Sequence, residues 1–153
     1  MITVVYLHGF RSSPASVKAM QFRSAVAQLP EARRPQLDVP ELAFSPAAAV
    51  DDVAAWVDAH AEPSTLTFIG SSLGGYYATH LAERFGARAV LINPSVRPFA
   101  SLQAWRGTQT NMHTGAEFEV TASHFDELIA MRVPAITRPE RYFLLAATGD
   151  EVL

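Results

Sequence analysis

The stretch "FIGSSLGGYY", residues 68–77, sets a serine between two glycines, directly after a short apolar run and directly before a helical pattern. A chain carrying it must pass from strand to helix within a few residues, and few backbones can do so. The pattern is G-x-S-x-G centred on Ser72, with Gly70 and Gly74 on either side. Ser71 is flanked at the same spacing by Ile69 and Leu73, so only Ser72 has this register. By composition alone such a pattern turns up in roughly one chain in twenty of this length, so its weight comes from its place between strand and helix. A serine lifted out at a sharp turn occupies a sparsely populated backbone region, at a cost of about 1–3 kcal/mol. The chain there passes close to itself, and glycine carries no Cβ to clash. The Ser72 hydroxyl then lies near a helix N-terminus whose free N–H groups favour developing negative charge. The Leu73 backbone N–H points to where an oxyanion would form. This reads as a nucleophile; the competing reading is a serine N-cap on a Gly-rich turn.

The rest of the chain alternates strand and helix. Residues 2–7 form a short run rich in β-branched residues, closed by His8-Gly9, and read as a buried strand. Ser13-Pro14 opens a helical stretch with Val17, Met20, Phe22, Val26 and Leu29 at its apolar positions. Residues 36–39 form a weak second strand. Ser45 and Pro46 make a cap and first turn for a helix reaching about His60. A third strand covers 66–69, a helix covers 73–85, and Gly86 ends it at the C′ position. Residues 88–92 are a fourth strand and 142–147 a fifth. Between 95 and 134 the periodicity weakens, apart from a helix around 125–131. Such alternation implies right-handed crossovers and a parallel sheet covered on both faces. The expected organisation is a single domain over 1–153, with 95–134 as a lid-like insertion at the strand ends.

Composition excludes several alternatives. With 153 residues, 49% hydrophobic and 18% charged, the chain is long and apolar enough for one packed core. The net charge of −3 comes without a block of like charge, and the isolated pair Arg33-Arg34 makes no nucleic-acid site. There is no cysteine, hence no disulfide, thiolate metal site or cysteine nucleophile. The N-terminal "MITVVYLHGF" lacks the pattern of a signal peptide, and no apolar run approaches the roughly 18 residues of a spanning helix. The expectation is a soluble, cytoplasmic protein with no membrane partner.

"LHGF" supports the reading of Ser72 from a second place. In an open doubly wound sheet, ligands bind where neighbouring connections leave on opposite faces. For a strand order 2-1-3-4-5 that point lies between the first and third strands. The His8-Gly9 loop then faces the turn with Ser72, and the Phe10 backbone N–H becomes the second oxyanion donor beside that of Leu73.

With the H-G turn and the G-x-S-x-G elbow in hand, the sequence resembles the α/β-hydrolase superfamily. More closely, "YLHGFRSSP", "GSSLGGYYATHLA", "INPSVRPF" and "TGDEVL" resemble the small bacterial YqiA-type esterase family, in order along nearly the whole chain. The fold implied is α/β, an α/β-hydrolase-like, doubly wound and mostly parallel sheet. The resemblance implies hydrolysis of a small-molecule acyl ester or thioester through an acyl-serine, with no cofactor and no metal. It assigns Ser72 as nucleophile and Asp150, after the fifth strand, as the triad acid. Relatives continue to a G-G-x-H motif with the catalytic histidine, whereas this sequence stops at Leu153. The expectation is therefore a sheet truncated at the C-terminus, lacking its last strand, histidine loop and helix.

Five histidines are present. His60 and His80 are placed away from Ser72, and His113 and His124 lie in the insertion. His8 is at the correct end of the sheet, but the resemblance makes it a residue that ties down the oxyanion loop. Asn93 and Arg97 follow the fourth strand, and Arg97 is a candidate substrate-binding residue. Tyr76 and Tyr77 read as helix packing, and Phe99, Trp105 and Phe118 as either an acyl-binding wall or the insertion's own core. The leading function is a serine carboxylesterase acting on small or medium acyl esters. Alternatives are an acyl-CoA thioesterase, with Arg11, Arg97 and Arg106 as cations near the cleft, and a non-catalytic hydrolase-fold binding module.

Overall fold

The structure, a computed structural model, describes residues 1–148. In chain order its elements are β1 (Thr3–Leu7), α1 (Val17–Ala27), β2 (Gln36–Asp38), α2 (Pro46–His60), β3 (Leu66–Ser71), α3 (Leu73–Phe85) and β4 (Arg88–Ile92). They are followed by α4 (Pro98–Ser101), β5 (Gly107–Thr110), β6 (Glu117–Val120), α5 (Ala122–Ala130) and β7 (Tyr142–Leu145). Five strands pair in parallel in the order β2-β1-β3-β4-β7, the expected order with β7 as its fifth strand. β1 and β3 pair from Thr3 opposite Leu66 to Leu7 opposite Gly70, so both strands end side by side.

Side chains alternate across β1, and each set meets a different layer. Val5 and Leu7 join the larger core with Val50, Val53 and Val57 of α2 and Ala78 and Leu81 of α3. Val4 and Tyr6 face the other way, toward Ala19 of α1 and Ile69. The connection after β1 thus leaves on one face and that after β3 on the other, which opens a crevice at their C-terminal ends. Gly86, at φ 64°, closes α3 as its left-handed C-terminal residue.

α1 differs from expectation. Ser16, not Ser13, caps it by accepting from the Ala19 amide, while Ser13 Oγ takes the Ala15 amide and is buried. The helix rests on Ala19 and Val26, with Phe22 stacked on Tyr6, whereas Val17, Met20 and Leu29 face solvent. Phe22 and Val26 therefore face the sheet as the periodicity implies, Ala19 joins them, and Val17, Met20 and Leu29 do not. The expected helix of the insertion starts three residues early, because the His124 ring accepts the Thr121 amide and closes its first turn. The antiparallel hairpin β5–β6 was not foreseen. Among the described residues no helix is long and apolar enough to cross a membrane.

Candidate active site

The elbow is built by close approach. Ser72 has φ 57° and ψ −119°, a conformation that L-residues adopt only where the surroundings enforce it. A Cβ at Gly70 would overlap the Gly74 carbonyl and fall 2.6 Å from the Gly75 nitrogen. A Cβ at Gly74 would overlap the Leu7 carbonyl and fall 2.6 Å from that of His8. Only glycine lets β3, α3 and β1 converge here. The strained residue is held from both sides: the Ser72 amide donates to the Ile92 carbonyl at 3.1 Å, and the Ser72 carbonyl accepts from Ser95 at 2.9 Å and Gly75 at 2.9 Å. α3 begins at the next residue, so Ser72 stands at its N-terminus.

The loop after β1 faces this turn. An added Cβ at Gly9 would sit 3.3 Å from Ser72 Cβ and 3.8 Å from Ser72 Oγ, so the loop backbone passes directly beside the hydroxyl. Among the described residues, the amides of Phe10 and Leu73 have no hydrogen-bond acceptor. His8 fixes the loop with both ring nitrogens. Nε2 accepts the Leu42 amide at 3.2 Å, which assigns the proton to Nδ1, donating to the Gly9 carbonyl at 3.0 Å. Burial pulls this imidazole below its ordinary pKa, opposed by the Gly9 bond and Glu41 and reinforced by His113. It is held neutral, with no ring nitrogen free to act as a base.

The insertion closes over the loop. Arg11, itself at φ 58°, donates through Nε to the Thr110 carbonyl at 3.0 Å and lies over the Trp105 ring. Its carbonyl accepts the Met112 amide at 2.9 Å, and Asn111 Nδ2 donates to the Ser12 carbonyl at 2.8 Å. Phe10 packs edge-on against Trp105 and Phe118, and Phe118 stacks on Phe44. Between loop, α3 and insertion lies a cavity walled by Phe10, Leu42, Leu73, Tyr77, Phe118 and Leu128, among others. The residues expected to flank an oxyanion, Phe10 and Leu73, thus border an apolar chamber.

Other expected residues fall elsewhere. Asp150 lies outside the described residues. Asn93, in the left-handed region at φ 40°, accepts the Ala147 amide at 2.8 Å and so holds the chain just after β7. Arg97 is exposed over Phe99, and neither lines the cavity. His60 bonds the Trp56 carbonyl and His80 that of Met131; His124, in the cavity wall, takes the Thr121 amide. Among the described residues no histidine is hydrogen-bonded to Ser72, and no group of three or more His, Asp and Glu side chains could hold a metal. The periodicity had no means of showing the hairpin that completes the wall, since β5 and β6 are four residues each.

A five-stranded parallel sheet with an elbow at the end of β3 defines the α/β-hydrolase fold, and solved structures agree. The chain is similar to α/β hydrolase domain-containing protein 10 from mouse, at 17% identity and a TM-score of 0.68, covering 98% of this chain and 70% of that one. It also resembles a chain of the glycosylation associate protein (Gap123) complex from Streptococcus agalactiae, at 14% identity and a TM-score of 0.50. That match covers 95% of this chain and 31% of the other, so the chain spans less than a third of this second relative. Residues 3–153 match the uncharacterised protein family UPF0227, the YqiA-type family, and the chain belongs to it.

Proposed function

We propose that the protein is a serine carboxylesterase acting on small or medium acyl esters, with Ser72 as nucleophile. The observation that carries this is the strained backbone of Ser72, enforced by glycines on both sides and set beside the Gly9 loop. Strain of this kind costs about 1–3 kcal/mol and needs a use. Here it lifts Oγ clear of the sheet at a helix N-terminus. In this reading Oγ attacks the ester carbon while its proton passes to the base. The Phe10 and Leu73 amides take the developing oxyanion, and the base returns the proton to the departing alcohol. Water then repeats the sequence on the acyl-serine. The base is the histidine that the family resemblance assigns to a G-G-x-H motif, oriented by Asp150. Residues 95–134 serve as the lid, since their hairpin and α5 supply one wall of the cavity.

A fluorophosphonate probe and p-nitrophenyl butyrate, applied to the full natural polypeptide, test this. Ser72→Ala abolishes labelling and lowers kcat by a factor on the order of a million, as in template triads, while Ser71→Ala stays labelled. Equal labelling of wild type and Ser72→Ala overturns the reading, and a wild type that neither labels nor turns over points to a binding module. Parallel rates on butyryl-CoA decide between ester and thioester.

A further inference from the structure

Two neighbouring tyrosines of α3 are treated differently by the fold. The Tyr76 hydroxyl donates to the Leu128 carbonyl at 2.5 Å and is fully used. Tyr77 is only 3% exposed and lines the cavity, yet its hydroxyl has no hydrogen-bond partner among the described residues. Every sealed side-chain oxygen or nitrogen among those residues does have one, so the Tyr77 hydroxyl is open to the cavity it borders. The carboxylate closest in charge terms, Glu127, is committed to Ser45 Oγ and the Ala47 amide at the start of α2. Burial first, then Glu127 and Tyr76, push the Tyr77 phenol well above its ordinary range, so it keeps its proton. Two other polar side chains of the wall are already paired: His8 with Leu42 and Gly9, and Asn111 with Ser12, His113 and Thr114. A neutral, unpaired hydroxyl thus belongs to a residue that lines a chamber walled mainly by Phe10, Leu42, Leu73, Phe118 and Leu128.

We infer that the Tyr77 hydroxyl is a specificity-determining donor, and that the preferred substrate carries an oxygen acceptor, a ketone or hydroxyl, on its acyl chain. The inference rests on the esterase reading for its placement of the acyl group, because Phe10 and Leu73 border this same cavity. A plain alkyl chain fills the chamber but leaves the donor unpaired, and a buried donor without an acceptor is penalised. An acyl chain with an oxygen at the right carbon removes that penalty. The hydroxyl contributes to choice among substrates and takes no part in bond making.

Binding of amides that the site does not turn over tests this without relying on catalysis. Hexanamide and its 3-, 4- and 5-oxo derivatives are titrated calorimetrically into the full natural polypeptide, wild type and Tyr77→Phe. At least one ketone binds the wild type about three- to tenfold more tightly than hexanamide, the range of one neutral hydrogen bond. Tyr77→Phe loses that gain and binds hexanamide as the wild type does. Equal affinities for all four amides in the wild type, or a gain that survives in Tyr77→Phe, overturn the inference. Since the hydroxyl has no partner among the described residues, Tyr77→Phe also melts no lower than wild type, and a clear drop in Tm counts against it equally. Loss of the esterase reading shows differently, as absent turnover with the ketone preference intact.

Discussion

The elbow around Ser72 and the insertion over residues 95–134 meet at one cavity, lined by Leu73 from the first and Phe118 from the second, but are held by different means. At the elbow, backbones approach so closely that any side chain at Gly70 or Gly74 overlaps a carbonyl. In the insertion, Gly107 and Gly115 also have positive φ, at 110° and 73°, yet nothing lies within 4 Å of a Cβ built on either. What holds the hairpin to the site is a few polar ties, from Arg11 to Thr110 and from Asn111 to Ser12, with Phe10, Phe44 and Phe118 in contact. Steric exclusion sets the first region; replaceable bonds set the second. A glycine is therefore a different statement in each, one about space and one about dihedral angle.

The sharpest way to break this comparison is a pair of identical substitutions. Gly74→Ala forces apart β1 and α3 and yields no soluble folded protein, as judged by expression and circular dichroism. Gly115→Ala meets only the left-handed penalty and loses about 1–2 kcal/mol in urea unfolding. Similar losses in both would mean that the elbow relaxes and that its strain is not enforced.

An effect well below that of Gly74→Ala is expected at Asn111, which is buried and whose side chain bonds the Ser12 carbonyl and the amides of His113 and Thr114. Asn111→Ala costs about 1–3 kcal/mol and leaves a folded sheet, with the hairpin amides exchanging faster than those of β1 and β3. Uniform acceleration across the molecule would show that the insertion and the elbow are one cooperative unit.

What the sequence made legible follows the same division. The spans of α2, α3 and β4 were readable because Ser45-Pro46, Gly86 and Asn93-Pro94 mark ends by local backbone chemistry. The elbow was readable because close approach leaves glycine no substitute. In α1 the inward positions Phe22 and Val26 were legible, whereas Ala19 was not, because a small residue carries little periodic signal. The hairpin was missed because Thr108, Glu117 and Glu119 are polar and exposed, so its short strands show one inward position at a time. Tyr77 could not be told from Tyr76 at all. Their roles part only through Leu128, some fifty residues further on.

The smallest expected effect concerns the loop that joins the two regions. Burial holds His8 neutral, with a pKa below the ordinary value of about 6.5. As pH falls through that value the unfolded chain takes up a proton that the folded state refuses. The contribution of His8 is thus complete above about pH 6.5 and declines toward its folded pKa. His8→Gln keeps an acceptor for the Leu42 amide but no titration, so its urea midpoint falls less between pH 7.5 and pH 5.5. Part of the slope remains, because His80 is shifted in the same direction, first by burial. An unchanged slope would mean that the buried imidazole is not what acid attacks.

The two hydrogen bonds that clip the Ser72 backbone to Ile92 and Ser95 tie the elbow to β4 and the turn after it. They extend the β3–β4 ladder past the strand end, so strand pairing carries on into the elbow. The strained serine is thus moored to the neighbouring strand and the turn after it as well as to its own helix, and a disturbance at the end of β4 is felt at the hydroxyl.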